Sequence, residues 1–272
     1  MKKIFLHLIS IFLLIPAHTF AALPFITDDA AVSDKNQLLL ETYTESWHLP
    51  KKAGNDSANL LGQYLGFSYG ALKNFEVSTG AMSSYDTREH STSFSNPLLQ
   101  IKSVISHSKK AGIPDMAMSF GYVNKNGRGQ YYDTATNSYL MAIATAKFFD
   151  EDLIIHVNSG AKTSYNIDGQ KNLYRLQLGV GIDAALIGKD LRLLAESYNG
   201  APNSPRDSLG FFHSYQFGFK FVKSADASFN ILYGSQPTFM SYDANNDMTH
   251  RRTSWVQFGF RKAFGDVFNS RF

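Results

Sequence analysis

The chain has 272 residues, 44% of them hydrophobic, with 26 Lys plus Arg against 23 Asp plus Glu, 38 aromatics and no cysteine. With Lys2 and Lys3 assigned to a leader, 24 bases face 23 acids, and a net charge of +1 disfavours a nucleic-acid partner. The absence of Cys excludes disulfides, thiol catalysis, Cys-ligated metal and a lipid-modified N-terminal Cys, and it suits folding in an oxidising envelope.

Met1-Lys2-Lys3 is a positive n-region, Ile4 to Pro16 is an apolar run broken only by His7 and Ser10, and Thr19-Phe20-Ala21 puts small residues where a signal peptidase reads. Residues 1–21 are expected to be a cleaved signal peptide, because an apolar run of about 13 residues is short of the ~20 that a spanning helix needs. Residues 22–36 follow as a polar lead-in carrying Asp28 and Asp29, either a periplasmic segment or a plug. The adjacent acids read as a solvated surface more readily than as a cation site.

Residues 37–272 alternate. From Tyr174 to Leu186 the even positions are Tyr, Leu, Leu, Val, Ile, Ala and Leu, while Arg175, Gln177, Gly179, Gly181 and Asp183 take the other face, which is the period of a strand. In chain order the expected strands are Gln37 to Trp47, Ala58 to Gly70, Asn74 to Tyr85, Asn96 to Ser106, Ile113 to Val123 and Asn137 to Phe149. Asp152 to Tyr165, Asn172 to Ile187, Asp190 to Tyr198, Leu209 to Lys223, Asp226 to Ser235 and Arg252 to Phe264 complete the set. Short turns alternate with longer polar loops, strands of about ten residues match a tilted bilayer crossing, and an export signal supplies the route. The fold expected is all-β: a membrane-spanning antiparallel up-and-down β-barrel of about 12 strands in the outer membrane of a Gram-negative bacterium.

Parity places Glu41, Glu45, Glu76, Lys102, His156, Asn158, Lys162, Arg175, Asp183, Arg192, Glu196, Lys220 and Arg261 on the lumen face. Lys147 joins them, diagonal to His156, and the seven cations against five acids leave about +2, too balanced for strong ion selection. A two-residue turn at Gly188-Lys189 sets Ala185 opposite Arg192 and brings Asp183 within diagonal reach of it. Against lipid the Arg alone would cost about 2 to 4 kcal/mol at mid-bilayer. Tyr64, Tyr139, Trp47 and Trp255 share the inward parity and offer flat apolar surfaces. Outward, Val256, Phe258, Phe260 and Phe264 with the terminal Phe272 are similar to the aromatic C-terminal signal read by barrel assembly machinery.

Several segments resemble one family: Leu23-Pro24-Phe25-Ile26-Thr27-Asp28-Asp29-Ala30, Tyr69-Gly70 through Phe75-Glu76-Val77, Ile155-His156-Val157-Asn158-Ser159-Gly160 and Leu194-Ala195-Glu196-Ser197-Tyr198. They resemble the outer-membrane transport barrels grouped under the MetA pathway of phenol degradation. The resemblance implies passage of small hydrophobic or aromatic molecules.

No catalytic, phosphate-binding or metal motif is present, so no enzyme activity, cofactor or metal is expected. The partners expected are outer-membrane lipid, the assembly machinery and a small apolar solute. Two other readings stand beside the channel. One is a structural or adhesive barrel using its loops. The other is a barrel-housed lipid hydrolase, in which His213 and Ser197 share outward parity on neighbouring strands and the His serves as base.

Overall fold

The computed structural model describes residues 27–49, 58–94, 97–108, 110–124, 136–165, 173–199, 214–224, 226–237 and 252–265. The expected signal peptide, residues 1–21, lies outside them. The described residues form strands and turns without a helix. The strands are β1 (Leu38–Leu49), β2 (Ala58–Leu72), β3 (Phe75–Asp86), β4 (Ser91–Phe94), β5 (Leu98–Ser106), β6 (Asp115–Val123) and β7 (Thr136–Phe148). They continue as β8 (Leu153–Tyr165), β9 (Leu173–Ile187), β10 (Leu191–Tyr198), β11 (Ser214–Ser224), β12 (Ala227–Pro237) and β13 (Arg252–Phe264).

Sequential strands pair antiparallel, and β1 closes the ring on β13 from Leu38↔Phe264 to His48↔Ser254. β4 and β5 share one place in the wall: β3 takes β4 along Ser83↔Phe94 to Asp86↔Ser91, and β5 along Phe75↔Ser103 to Gly80↔Leu98. The result is a closed barrel of 12 staves. Among the described residues closure leaves every strand but the four-residue β4 paired on both sides, the condition for a sheet to exist in hydrocarbon.

Burial decides which face meets what. Phe217, Phe219 and Phe221 are 44 to 48% exposed, while Gln216 and Lys220, of the opposite parity, are 2% and 5% exposed. The same inversion runs through β12 and β13, where Phe229, Ile231 and Phe258 are exposed and Ser228, Asn230 and Gln257 buried. A soluble sandwich carries its apolar face inward. A polar interior within an apolar belt is a membrane barrel.

Two local features differ from the sequence reading. The stretch Asp86 to Ser95, expected as a loop, contains the extra strand β4. The turn after β9 has three residues, with Ile187↔Leu191 paired, Gly188 at φ 53° and a bulge between Leu191 and Arg192. The bulge restores parity, so Arg192↔Ala185 holds as expected. A second bulge, between Val222 and Ser224, does the same before β12. Of the expected strand starting at Leu209, residues 209–213 lie outside the described set.

Candidate functional site

Residues 27–33 of the lead-in run inside the barrel. Thr27, Asp29, Ala30 and Ser33 are all buried. Two wall carboxylates hold its ends in the same manner. Glu196 Oε2 on β10 accepts the Thr27 N–H at 2.8 Å and its hydroxyl at 2.6 Å, and Glu76 Oε2 on β3 accepts the Ser33 N–H at 2.8 Å and its hydroxyl at 2.6 Å. The two strands are six staves apart in the ring of twelve, on opposite walls.

Between the clamps the segment follows the β5 to β8 half of the wall. Thr145 Oγ1 accepts the Ala30 N–H at 2.8 Å. The Asn158 amide accepts the Asp28 N–H at 2.6 Å and donates to the Asp28 carbonyl at 2.9 Å. Ala30 packs into an apolar patch of Leu98, Ala117, Val123, Tyr139, Met141 and Ile143, unusual for a barrel interior. The chain then leaves the lumen over Gly70, where a Cβ would stand 1.9 Å from the Asp34 carbonyl oxygen, and enters β1 through Asn36 N–H donating to Gly70 O at 2.8 Å.

Asp28 and Asp29 are no solvated pair. Lys102 on β5, 3% exposed, reaches Asp28 at 3.0 Å, Asp29 at 3.9 Å and Glu76 at 4.0 Å. Burial raises both aspartate carboxyls above the usual range, and the Lys102 ammonium offsets only part of that rise. The cation at this point is thus a side chain of the wall.

The other interior charges sort into compact groups. Asp183, fully buried, is bonded by both Arg192 and Lys220. Arg192 also donates to the Glu151 carbonyl at 2.8 Å, tying the β7–β8 turn to β10. Glu41 meets Arg261 across β1 and β13 at 3.4 Å. Thr145 bridges the strap to His156, whose Nδ1 lies 3.0 Å from its hydroxyl. Thr145 stands opposite His156, which sets Lys147 diagonal to it as expected, and Lys147 also pairs with Glu151 at 2.9 Å. Lys162 and Arg175 face each other across β8 and β9, and Glu45 sits buried on β1.

The aromatics lie against the wall. Trp47 stacks on Trp255 with centroids 4.5 Å apart, and a Cβ at Gly234 would stand 2.1 Å from the Trp255 ring. Tyr64 stacks on Tyr43 at 4.6 Å, and Tyr139 lies over Gly121 and donates to Gln100 at 2.7 Å. Trp255 and Tyr139 are 3% and 4% exposed, so they present no free ring face, contrary to the sequence expectation. Trp47 and Tyr64 remain half-exposed.

Sequence reasoning missed Thr27, Ser33 and Thr145 as strap contacts. The visible signal was a pair of hydroxyl residues six apart in the lead-in and one hydroxyl on the otherwise apolar inward run Tyr139, Met141, Ile143 of β7. For the hydrolase reading, Ser197 donates to the Ser214 carbonyl at 3.3 Å, and His213 lies outside the described residues. Among the described residues no group of three His, Asp or Glu side chains is placed to hold a metal.

No protein-family model and no curated protein matches the chain. Among solved structures it is similar to the COG4313 outer membrane channel from Pseudomonas putida F1, with a TM-score of 0.55 at 8% identity, covering 87% of this chain and 98% of that one. The KdgM porin aligns with a TM-score of 0.48 at 11% identity over 82% of this chain and 99% of the porin. The Pseudomonas putida toluene transporter TodX aligns at 0.40 and 9% identity, over 90% and 93%. The first of these, at so low an identity, establishes the fold alone: that of a Gram-negative outer-membrane β-barrel.

Proposed function

We propose that the chain is an outer-membrane channel for small hydrophobic or aromatic molecules, closed at rest by its own residues 27–36. The observation that carries this is the strap itself, clamped at both ends by lumen carboxylates and seated by side-chain and backbone hydrogen bonds. A segment held by a handful of hydrogen bonds can leave and return within the folded lifetime of the wall, whereas a purely structural barrel has no need of a polar lumen crossed by a separable segment.

The solute class follows from the wall. Interior cations such as Lys102, Arg192, Lys220 and Arg261 are ion-paired, which disfavours a steady ionic pathway, and Trp47 and Tyr64 keep inward ring surface exposed. Three of the residues that hold the strap, Glu76, Asn158 and Glu196, lie in the segments that resemble the phenol-degradation transport barrels, which favours membership of that family. Outer-membrane lipid around the aromatic belt and the assembly machinery at the C-terminal strand are the partners this reading requires.

The test pairs two measurements: single-channel conductance in planar bilayers, and uptake of a radiolabelled alkylbenzene by cells with and without the gene. Small, intermittent conductance with gene-dependent uptake is expected. A large, sugar-permeable conductance would instead indicate a general porin, unchanged uptake a structural or adhesive barrel, and fatty acids released from labelled membranes the hydrolase.

A further inference from the structure

Four polar atoms of the inner wall beside Thr27 have no hydrogen-bond partner: both amide atoms of Gln177, the Tyr198 hydroxyl and Ser214 Oγ. The three residues are 1%, 1% and 0% exposed, in a fold where buried polar groups are nearly always paired. They belong to one place. Tyr198 on β10 stands opposite Gly179 on β9 and Ser214 on β11, and Gln177 is the next inward residue along β9. The end of the strap closes the other side, since a Cβ at Gly179 would stand 2.3 Å from Thr27 Cγ2 and 3.5 Å from Tyr198 Cβ.

A second set of orphaned groups, the hydroxyls of Ser84, Ser91 and Ser93, lies on β3 and β4 and offers hydroxyls alone. Asp183 is satisfied by two cations, Asn158 by the strap backbone, and Glu196, next inward along β10 from Tyr198, by Thr27. The orphaned set beside Thr27 is different in kind: an amide, a phenol and an alcohol, all uncharged, each able to donate and to accept.

We propose that Gln177, Tyr198 and Ser214 form a head-group subsite, taking a small aromatic solute that bears one uncharged group able both to donate and to accept, a hydroxyl or a primary amide. The aromatic body rests on the channel reading above, and the head group is what this cluster adds. A bare hydrocarbon leaves all four atoms unpaired. A carboxylate supplies no donor and lies beside the Glu196 carboxylate. A neutral hydroxyl or amide pairs with both kinds of partner at once.

The probes are 4-fluorobenzamide, 4-fluorobenzyl alcohol, 4-fluorotoluene and 4-fluorobenzoate, titrated onto the purified full-length barrel in detergent. Protein-dependent broadening of the fluorine NMR line is read against empty micelles. The amide and the alcohol should bind about tenfold more tightly than the toluene or the benzoate, the effect of one or two hydrogen bonds. In the Gln177→Leu/Tyr198→Phe variant that advantage should vanish while 4-fluorotoluene binding stays the same. Tyr198→Phe alone, which removes one oxygen and keeps the ring, should lose about threefold, and unchanged heat-dependent gel mobility certifies the fold. Equal binding of 4-fluorotoluene and 4-fluorobenzamide, or a preference untouched by the substitutions, overturns the subsite and leaves the channel reading standing. Failure of all four probes to bind overturns both.

Discussion

Removing the Glu196 carboxylate should open the channel. Its Oε2 accepts two bonds from Thr27, at 2.8 and 2.6 Å, and both are bonds to a charged acceptor, worth about 1.5 to 3 kcal/mol each before allowance for shared geometry. Water partly replaces them when the strap leaves, so Glu196→Ala should weaken seating by about 3 kcal/mol. At about 1.4 kcal/mol per decade that raises the ratio of unseated to seated strap roughly a hundredfold. Glu196→Gln keeps an acceptor oxygen and loses the charge, for a rise of about tenfold. Single-channel recording in planar bilayers reads the ratio as open against closed dwell time. Thr27→Val added to Glu196→Ala should change nothing further, because both remove the same contact. Gln257→Ala, buried in the lumen and away from the strap, serves as control. If Glu196→Ala opens the channel no more than Gln257→Ala does, the strap is not the gate.

The strap can also be locked. An ideal Cβ at Gly179 lies 3.6 Å from Thr27 Cβ, inside the roughly 3.5 to 4.5 Å span of disulfides, and the chain has no other Cys to compete. The double variant Thr27→Cys/Gly179→Cys should therefore be silent when oxidised and conduct after dithiothreitol; a bridged protein that conducts like its reduced form contradicts closure at this point. On the outer face, Phe260→Asp should block assembly into the outer membrane far more than Gln257→Asp, since Phe260 packs on Phe229 at 5.0 Å on the lipid side and Gln257 faces the lumen; equal membrane recovery of both would reverse the face assignment. Asp183→Asn strands two buried cations, at a cost of about 3 to 5 kcal/mol, and should lower the temperature at which the folded band is lost on gels. An unchanged transition would mean that water already solvates Arg192 and Lys220.

The barrel was legible wherever the two faces of a strand differ to the extreme. On β11, Phe217, Phe219 and Phe221 alternate with Gln216, Gly218 and Lys220, which marks a strand with two unlike faces, and strand length with the export signal pointed to a membrane barrel over a sandwich. β4 was invisible because Ser91-Thr92-Ser93-Phe94 has no apolar face and pairs with a Ser-rich stretch of β3. The three-residue turn at Gly188 was invisible for another reason: the bulge that follows cancels the extra residue, so every side chain beyond it keeps the face that a two-residue turn would assign. The Asp183–Arg192 pair followed from one hairpin, whereas Lys220 joins from the next strand through the register Arg192↔Lys220.

The strap was the hardest element to read, since its contacts use backbone N–H groups and hydroxyls of a segment without period. The wall nevertheless carried a trace of it. Glu196 has inward parity, but its cross-strand neighbours are Gly181 on β9 and Gln216 on β11, neither of them a cation. A buried carboxylate needs donors, and flanking residues that supply no charge imply that some come from outside the wall. The strand assignment leaves residues 22–36 over as the polar segment at the barrel's own end. Glu76 repeats the case in weaker form, facing Gly70 on one side and sharing Lys102 with two aspartates of the lead-in on the other. Register alone does not find the grip, since Glu76 stands opposite Lys102, and Glu45, flanked by Gly62 and Gln257, accepts the Trp47 indole N–H instead. What sets Glu196 and Glu76 apart is that each, six staves from the other, accepts an N–H and a hydroxyl of the same segment.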